Sequence, residues 1–269
     1  MDCKVPIVRA FWGATDYSRR EIFQCPIFSN ETVFVWGNEN NDLFKSRGFN
    51  TVLMSEFPTD PEYSTVETQY YHKLKVLVEA EKYFNEFILL DWDSFLCRPI
   101  DDNFYNRLRA GNEVQVPLYA YPNEDGIGLI KRMKHSHNER YNIQISDDLA
   151  FFFKGQELQL RKYSWQLDDM LISPNFNFCY TRRPGFGTEL IEVAKSLDIK
   201  YCVEENAMFK WADCNLEEYA RKFEPSVVQG TSDDTRTVLV DWNYETDAVY
   251  KFNRYIEQLY PKSLYFKHI

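Results

Sequence analysis

Apolar residues in the first half of the chain fall into short runs separated by polar, turn-forming stretches. Pro6–Trp12 (PIVRAFW) predicts a strand running into a turn at Gly13. Thr32–Trp36 (TVFVW) predicts a second strand, closed by the turn-rich GNENND, and Thr51–Met54 (TVLM) a third. Over Val66–Phe84 the spacing changes: Val66, Tyr70, Leu74 and Leu77 recur at steps of four, four and three, which is helical. The run that follows, Phe87–Leu90 (FILL), is apolar without alternation, as a strand buried on both faces is. Strands alternating with helices in this way predict a layered α/β domain around a mostly parallel sheet.

The second half is less regular. Glu113–Tyr121 and Leu149–Phe153 read as strands, Lys131–Arg140 as a charged loop, and Asn175–Tyr180 (NFNFCY) as another strand. Gly187–Leu197, Glu204–Ala212 and Asp247–Leu259 carry helical patterns. No internal repeat or Gly/Ser-rich linker divides the chain, so one domain over residues 1–269 is expected.

Composition narrows the function. Hydrophobic residues at 44% and charged ones at 27% are the balance of a folded globular protein. The formal net charge of −10 argues against a sequence-independent nucleic-acid binder and would repel phosphorylated ligands unless a cation stood between. The longest apolar runs, such as Leu149–Phe153, fall well short of the roughly 20 residues a membrane helix needs. With no signal-like start either, a cytoplasmic protein is expected. The six cysteines, Cys3, Cys25, Cys97, Cys179, Cys202 and Cys214, form no C-x-x-C pair and read as free thiols. Aromatic residues reach 17%, enough that some could line a carbohydrate site beyond those the core takes.

Candidate chemistry concentrates in Phe87–Ile100 (FILLDWDSFLCRPI). Four buried apolar residues are followed at once by Asp91-Trp92-Asp93. In extended chain, residues two apart share a face about 6.6 Å apart, so both carboxylates would project from the carboxyl edge of the sheet, where open α/β sheets bind ligands. Paired hard oxygens there suit Mn²⁺ or Mg²⁺. A solvated turn with an N-cap aspartate is the plainer alternative for an isolated D-x-D.

The longer run Tyr71–Ile100, YHKLKVLVEAEKYFNEFILLDWDSFLCRPI, resembles the helix–strand–DxD unit of GT-A-fold glycosyltransferases: a Lys-bearing helix, an apolar strand, the D-x-D, then a short apolar run and a proline before the next helix. The resemblance covers about residues 5 to 105 well and the remainder loosely. It implies a three-layer α/β/α domain with a nucleotide-sugar-binding half (1–105) and an acceptor-binding half (106–269). The implied activity is metal-dependent transfer of a sugar from a nucleotide-diphosphate sugar to a hydroxyl of a glycan or glycoconjugate. By the same resemblance the base would lie near Arg9, Phe11, Trp12 and Gly13, with Trp92 also on the donor. Asp91 would face the ribose or the metal, and Asp93 would ligate Mn²⁺ (or Mg²⁺) bridging the diphosphate. Lys73 would reach the sugar or phosphate, or else snorkel at the helix edge. His268, in the terminal LYFKHI, stands where many such enzymes supply a further metal ligand; a tail histidine without a role is the alternative. Asn177 and Glu204 are the implied acceptor contacts, and Glu205 a candidate base, unless it merely complements a helix dipole.

Other features are left open on the residues alone. His135 and His137 read as loop residues and His72 as structural. Asp168–Asp169 form an acidic pair, and Trp165, Trp211 and Trp242 suit either core packing or stacking on a sugar. A terminal histidine ligand suits a retaining mechanism and Glu205 as base an inverting one. The rival readings are a sugar-1-phosphate nucleotidylyltransferase, disfavoured because FWGATDYSRR has a single glycine and late arginines, and a catalytically inactive carbohydrate-binding homologue.

Overall fold

The computed structural model describes residues 5–12, 31–55, 71–91, 94–96, 102–110, 113–116, 118–122, 158–167, 170–174, 176–198, 202–212 and 266–268. Within these, β1 (Ile7–Phe11), β2 (Glu31–Val35), β3 (Asn50–Leu53) and β4 (Phe87–Leu90) pair in parallel, β1 lying between β2 and β4 and β3 outside β2. β10 (Phe178–Thr181) adds antiparallel to β4, and β6 (Val114–Gln115) antiparallel to β10, giving the order β3-β2-β1-β4-β10-β6. The sheet is therefore mixed, with a parallel centre.

Alternating side chains send each strand's apolar residues to two layers. On one face Val8, Ala10, Phe34, Phe87, Leu89 and Cys179 form one core with α2 (Tyr71–Ala80), α4 (Phe186–Lys195) and α5 (Val203–Trp211). On the other, Phe11, Val33 and Val35 pack on Phe44 of α1 (Asn38–Ser46) and on Phe49. This is the expected three-layer α/β/α arrangement. FILL is buried at all four positions, as a central strand covered on both sides requires.

Several expectations are corrected. GNENND is the start of α1, not a closing turn: Gly37 takes φ 87 at the N-cap, Asn40 Nδ2 donates to the Trp36 carbonyl at 3.0 Å, and Phe44 anchors the helix below the sheet. Glu113–Tyr121 is not one strand. It divides into β6 and β7 (Leu118–Pro122), the latter in a separate antiparallel sheet with β9 (Met170–Pro174) and β8 (Trp165–Leu167). Between the two strands the sequence carries Pro117, a residue type with no N–H to give a ladder. Helix α2 stops at Ala80 rather than running to Phe84, closed by Tyr83 and Phe84 N–H groups on the Ala80 carbonyl. Strand β10 begins at Phe178, after a turn at Phe176–Asn177. The expected strand 149–153, the loop 131–140 and the helix 247–259 lie outside the described residues.

Two short elements follow β4: β5 (Ser94–Leu96) and α3 (Asp102–Ala110). β5 pairs antiparallel with β11 (Phe266–His268), setting His268 opposite Ser94. Among the described residues no helix is long and apolar enough to cross a membrane.

Helices α2 and α4 meet so closely that only glycine fits. A Cβ on Gly187 would stand 2.6 Å from the Val78 nitrogen and 2.9 Å from the Leu77 carbonyl carbon, both backbone atoms. Next to this contact, Glu81 accepts the N–H groups of Gly185 and Gly187 at 3.0 and 2.7 Å, capping α4 from the turn that ends α2. Gly187→Ala gains about 1 kcal/mol of helix propensity but must push the helix backbones apart, an overpacking that costs about 1–3 kcal/mol or more. The variant is expected to unfold at lower urea concentration than the wild type; an equal or higher midpoint would mean that the helices separate freely.

Candidate active site at the carboxyl edge of the sheet

Parallel strands β1, β2 and β4 all end at one edge, and the residues that leave them there are Trp12, Trp36 and Asp91. The first turn of α2 brings His72 and Lys73 to the same edge, and the first turn of α5 brings Glu204 and Glu205. Elements far apart in sequence thus converge beyond the end of FILL.

At the centre is an ion-pair triad. Lys73 Nζ lies 2.7 Å from Asp91 Oδ1 and 3.3 Å from Glu204 Oε1, with all three side chains largely enclosed. Burial alone would push the Lys73 ammonium down, but the charges of Asp91 and Glu204, with Glu205 behind them, outweigh it and hold Lys73 above its ordinary value. One cation cannot neutralise two buried carboxylates. Burial pushes Glu204 up to about 7, opposed by Lys73 and helped by the nearby Asp91. Its second oxygen, Oε2, is buried with no hydrogen-bond partner among the described residues, which suits a carboxyl that holds a proton near neutrality.

Asp91 is also fixed through its backbone. Its N–H donates to the Asn177 carbonyl at 2.9 Å, and its own carbonyl accepts from Arg9 Nη1 at 2.8 Å. Arg9 is fully buried and donates through Nε to Glu31, also fully buried.

Beside the triad stands an aromatic group. The His72 ring stacks on Trp36 at 5.0 Å between centroids, and half-buried Trp12 meets it edge-on at 5.4 Å. Burial first, then the Lys75 charge, lowers His72 to about 4, so its imidazole is neutral at physiological pH. Helix α5 starts from strained backbone: Cys202, with φ 45 and ψ 51, is the one non-glycine residue at positive φ among those described, and its carbonyl accepts the N–H groups of Glu205 and Asn206 at 3.1 Å each.

Lys73, Asp91, Glu204 and the Asn177 backbone therefore come together, with Glu205 half-buried on the same helical turn and Trp12 at the rim. Arg9 and Phe11, expected against a nucleotide, are instead enclosed: Arg9 faces Glu31 and Asp91, and Phe11 packs on Phe44 at 4.8 Å. Lys73 does not snorkel to solvent. Gly13, Trp92, Asp93, Asp168, Asp169, His135, His137, Trp242 and the His268 side chain lie outside the described residues. Trp165 packs on Phe209, and Trp211 donates to Glu189 at 2.7 Å. Burial pushes the Cys179 thiol up, leaving it an inert core residue.

Sequence reasoning missed Glu31 and the joining of Lys73 to Glu204. A signal existed for the first: Arg9 and Glu31 are opposite charges set in two strands that are otherwise almost wholly apolar.

The donor chemistry at this edge fits a divalent cation. Hard carboxylate oxygens are present in Asp91 and Glu204, and the β5–β11 register sets His268 one residue past Asp93. Oδ1 of Asp91 and Oε1 of Glu204 both face Lys73. Among the described residues no three His, Cys, Asp or Glu side chains form a metal cluster by themselves.

No family model and no curated protein matches the chain. Among solved structures it is similar to a glycosyltransferase involved in glycosylation of the major capsid of PBCV-1, at 8% identity and TM-score 0.36, over 98% of this chain and 92% of that one. It is similar to the WbbM bifunctional glycosyltransferase, apo form, at 16% identity and TM-score 0.40, over 98% of this chain and 45% of that one. A third similarity is to mouse xyloside xylosyltransferase 1, apo form, at 9% identity and TM-score 0.35, over 78% and 80% of the two chains. Likenesses this distant assign no activity.

Two consequences of the triad are measurable. Lys73→Met strands two buried carboxylates and should cost about 3–5 kcal/mol of stability in denaturant unfolding; a loss within the surface range of about 0–1 kcal/mol would place the group in solvent. For Glu204 the folded carboxyl is raised above its ordinary 4.5 to about 7. Between those values the unfolded chain releases the proton and the folded chain keeps it, so stability falls as pH rises across that window. Melting of wild type and Glu204→Gln from about pH 5 to about pH 8 should show the wild type losing ground to the variant. A constant difference between them would contradict the raised carboxyl.

Proposed function

We propose that this chain is a GT-A-type glycosyltransferase that moves a sugar from a nucleotide-diphosphate donor to a hydroxyl of a glycan or glycoconjugate. The observation that carries the reading is the convergence of Lys73, Asp91 and Glu204 beyond the carboxyl end of the buried parallel strand FILL, with the D-x-D immediately following. The Tyr71–Ile100 resemblance adds to it.

In this reading Asp91, Asp93 and His268 would hold Mn²⁺ or Mg²⁺. When bound, the cation offsets the diphosphate charge that an acidic protein would otherwise repel and stabilises the departing nucleotide. Trp12, Gly13 and Trp92 contact the nucleotide. The acceptor oxygen bonds to the anomeric carbon as the bond to the diphosphate oxygen breaks. Glu205, half-buried at the start of α5, takes the hydroxyl proton. Glu204 is enclosed and tied to Lys73, so it fixes that turn against the donor side and, with Asn177, shapes the acceptor edge.

Calorimetric titration of wild type and Asp93→Ala with UDP and with GDP, each with and without Mn²⁺, tests the reading. The expected result is manganese-dependent binding of one nucleotide, lost in the variant along with sugar transfer. Binding of neither nucleotide under any condition would favour the carbohydrate-binding alternative, and unchanged transfer by Asp93→Ala would refute the assignment.

A further inference from the structure

We infer that the buried Arg9–Glu31 pair is a positioning device for the start of the D-x-D segment: it holds the Asp91 carbonyl and so sets the direction in which the chain leaves β4. The inference rests on the reading of that segment as the nucleotide and metal site.

The pair bridges β1 and β2 on the sheet face that also carries Phe11, Val33 and Val35, and both side chains are fully buried. Stability is a poor reason for placing it there, since a buried ion pair exchanged for apolar side chains of similar volume is often neutral or stabilising. What apolar residues could not supply is the third contact. Arg9 donates through Nε to Glu31 and extends Nη1 to the Asp91 carbonyl at 2.8 Å. The planar fork cannot turn toward one acceptor without moving on the other, so Glu31 sets the angle at which the carbonyl is held.

That carbonyl needs a holder. The β1–β4 ladder ends with Arg9 opposite Leu90, so Asp91 is the first residue beyond it. Its N–H goes to Asn177 on the β10 side and its carboxylate to Lys73 from α2. Only its carbonyl faces β1, and Arg9 meets it there. Rotation of the Asp91–Trp92 peptide would swing everything that follows it, and partners of this kind commonly change metal affinity or activity by about 10–100-fold when removed.

The test replaces the pair as a unit. The Arg9→Met/Glu31→Met double variant removes both charges of the pair together and, with them, the hold on the carbonyl. Its fold is checked by near-ultraviolet circular dichroism and thermal melting. Affinity for UDP and GDP is then measured with and without Mn²⁺, in variant and wild type. The expected outcome is a folded protein in which the manganese-dependent gain in nucleotide affinity falls by about tenfold or more, while manganese-independent affinity is unchanged. A folded variant with the wild-type manganese gain overturns the inference and leaves the site reading standing. Absence of a manganese gain in the wild type overturns the site reading and this inference with it. Should the double variant not fold, Arg9→Lys is read in the same way, because its single ammonium keeps the charge but cannot hold both acceptors in a fixed plane.

Discussion

A lysine ammonium can be buried only where fixed carboxylates replace the water it gives up. In this chain the two that do so belong to structures otherwise far apart: Asp91 ends the central strand, and Glu204 opens a helix more than a hundred residues later. Lys73 itself sits in the helix that covers the sheet. The need to pair that one charge therefore fixes the sheet, its covering helix and the second-half helix α5 relative to one another at a single point. The close approach of α2 to α4 at Gly187, and the capping of α4 by Glu81, make the same layer rigid about one to two turns further along α2 and its closing turn.

Because the charges do not balance, the point is also chemically poised. Two largely enclosed carboxylates share one cation, and burial holds one of them, Glu204, protonated to near neutrality. The backbone around Asp91 is then over-determined, its N–H, carbonyl and carboxylate each bonded to a different element. Such fixation is what a site that binds a charged ligand needs, since groups held in place spend little on reorganisation when the ligand arrives.

Much of the first half was legible from hydrophobic pattern alone. β1, β2, β3 and β4 are dense apolar runs bounded by turn residues, and each lies within a residue or two of its expected place. Helix α1 was not legible, because NENNDLFKS offers little more than Phe44 to the core and its asparagines read as turn formers. β5 and β11 are three residues each, too short for any period to register. At the site, Asp91 could be placed because its position follows directly from the strand before it. The partners of Arg9 and Lys73 could not, since which carboxylate meets which cation is decided by strand order and helix docking, neither of which local sequence specifies.

The sheet order carries a consequence for how the chain can be divided. β4 is flanked on one side by β1 and on the other by β10, a strand from well beyond the D-x-D. A fragment ending near residue 105 would carry the four described parallel strands, yet it would lack β10 and present Phe87–Leu90 as an edge of four apolar residues. Unprotected edges of that kind pair with copies of themselves. The two halves of the chain thus share one sheet and are not separable pieces: isolated from its second half, the first would be a seed for aggregation.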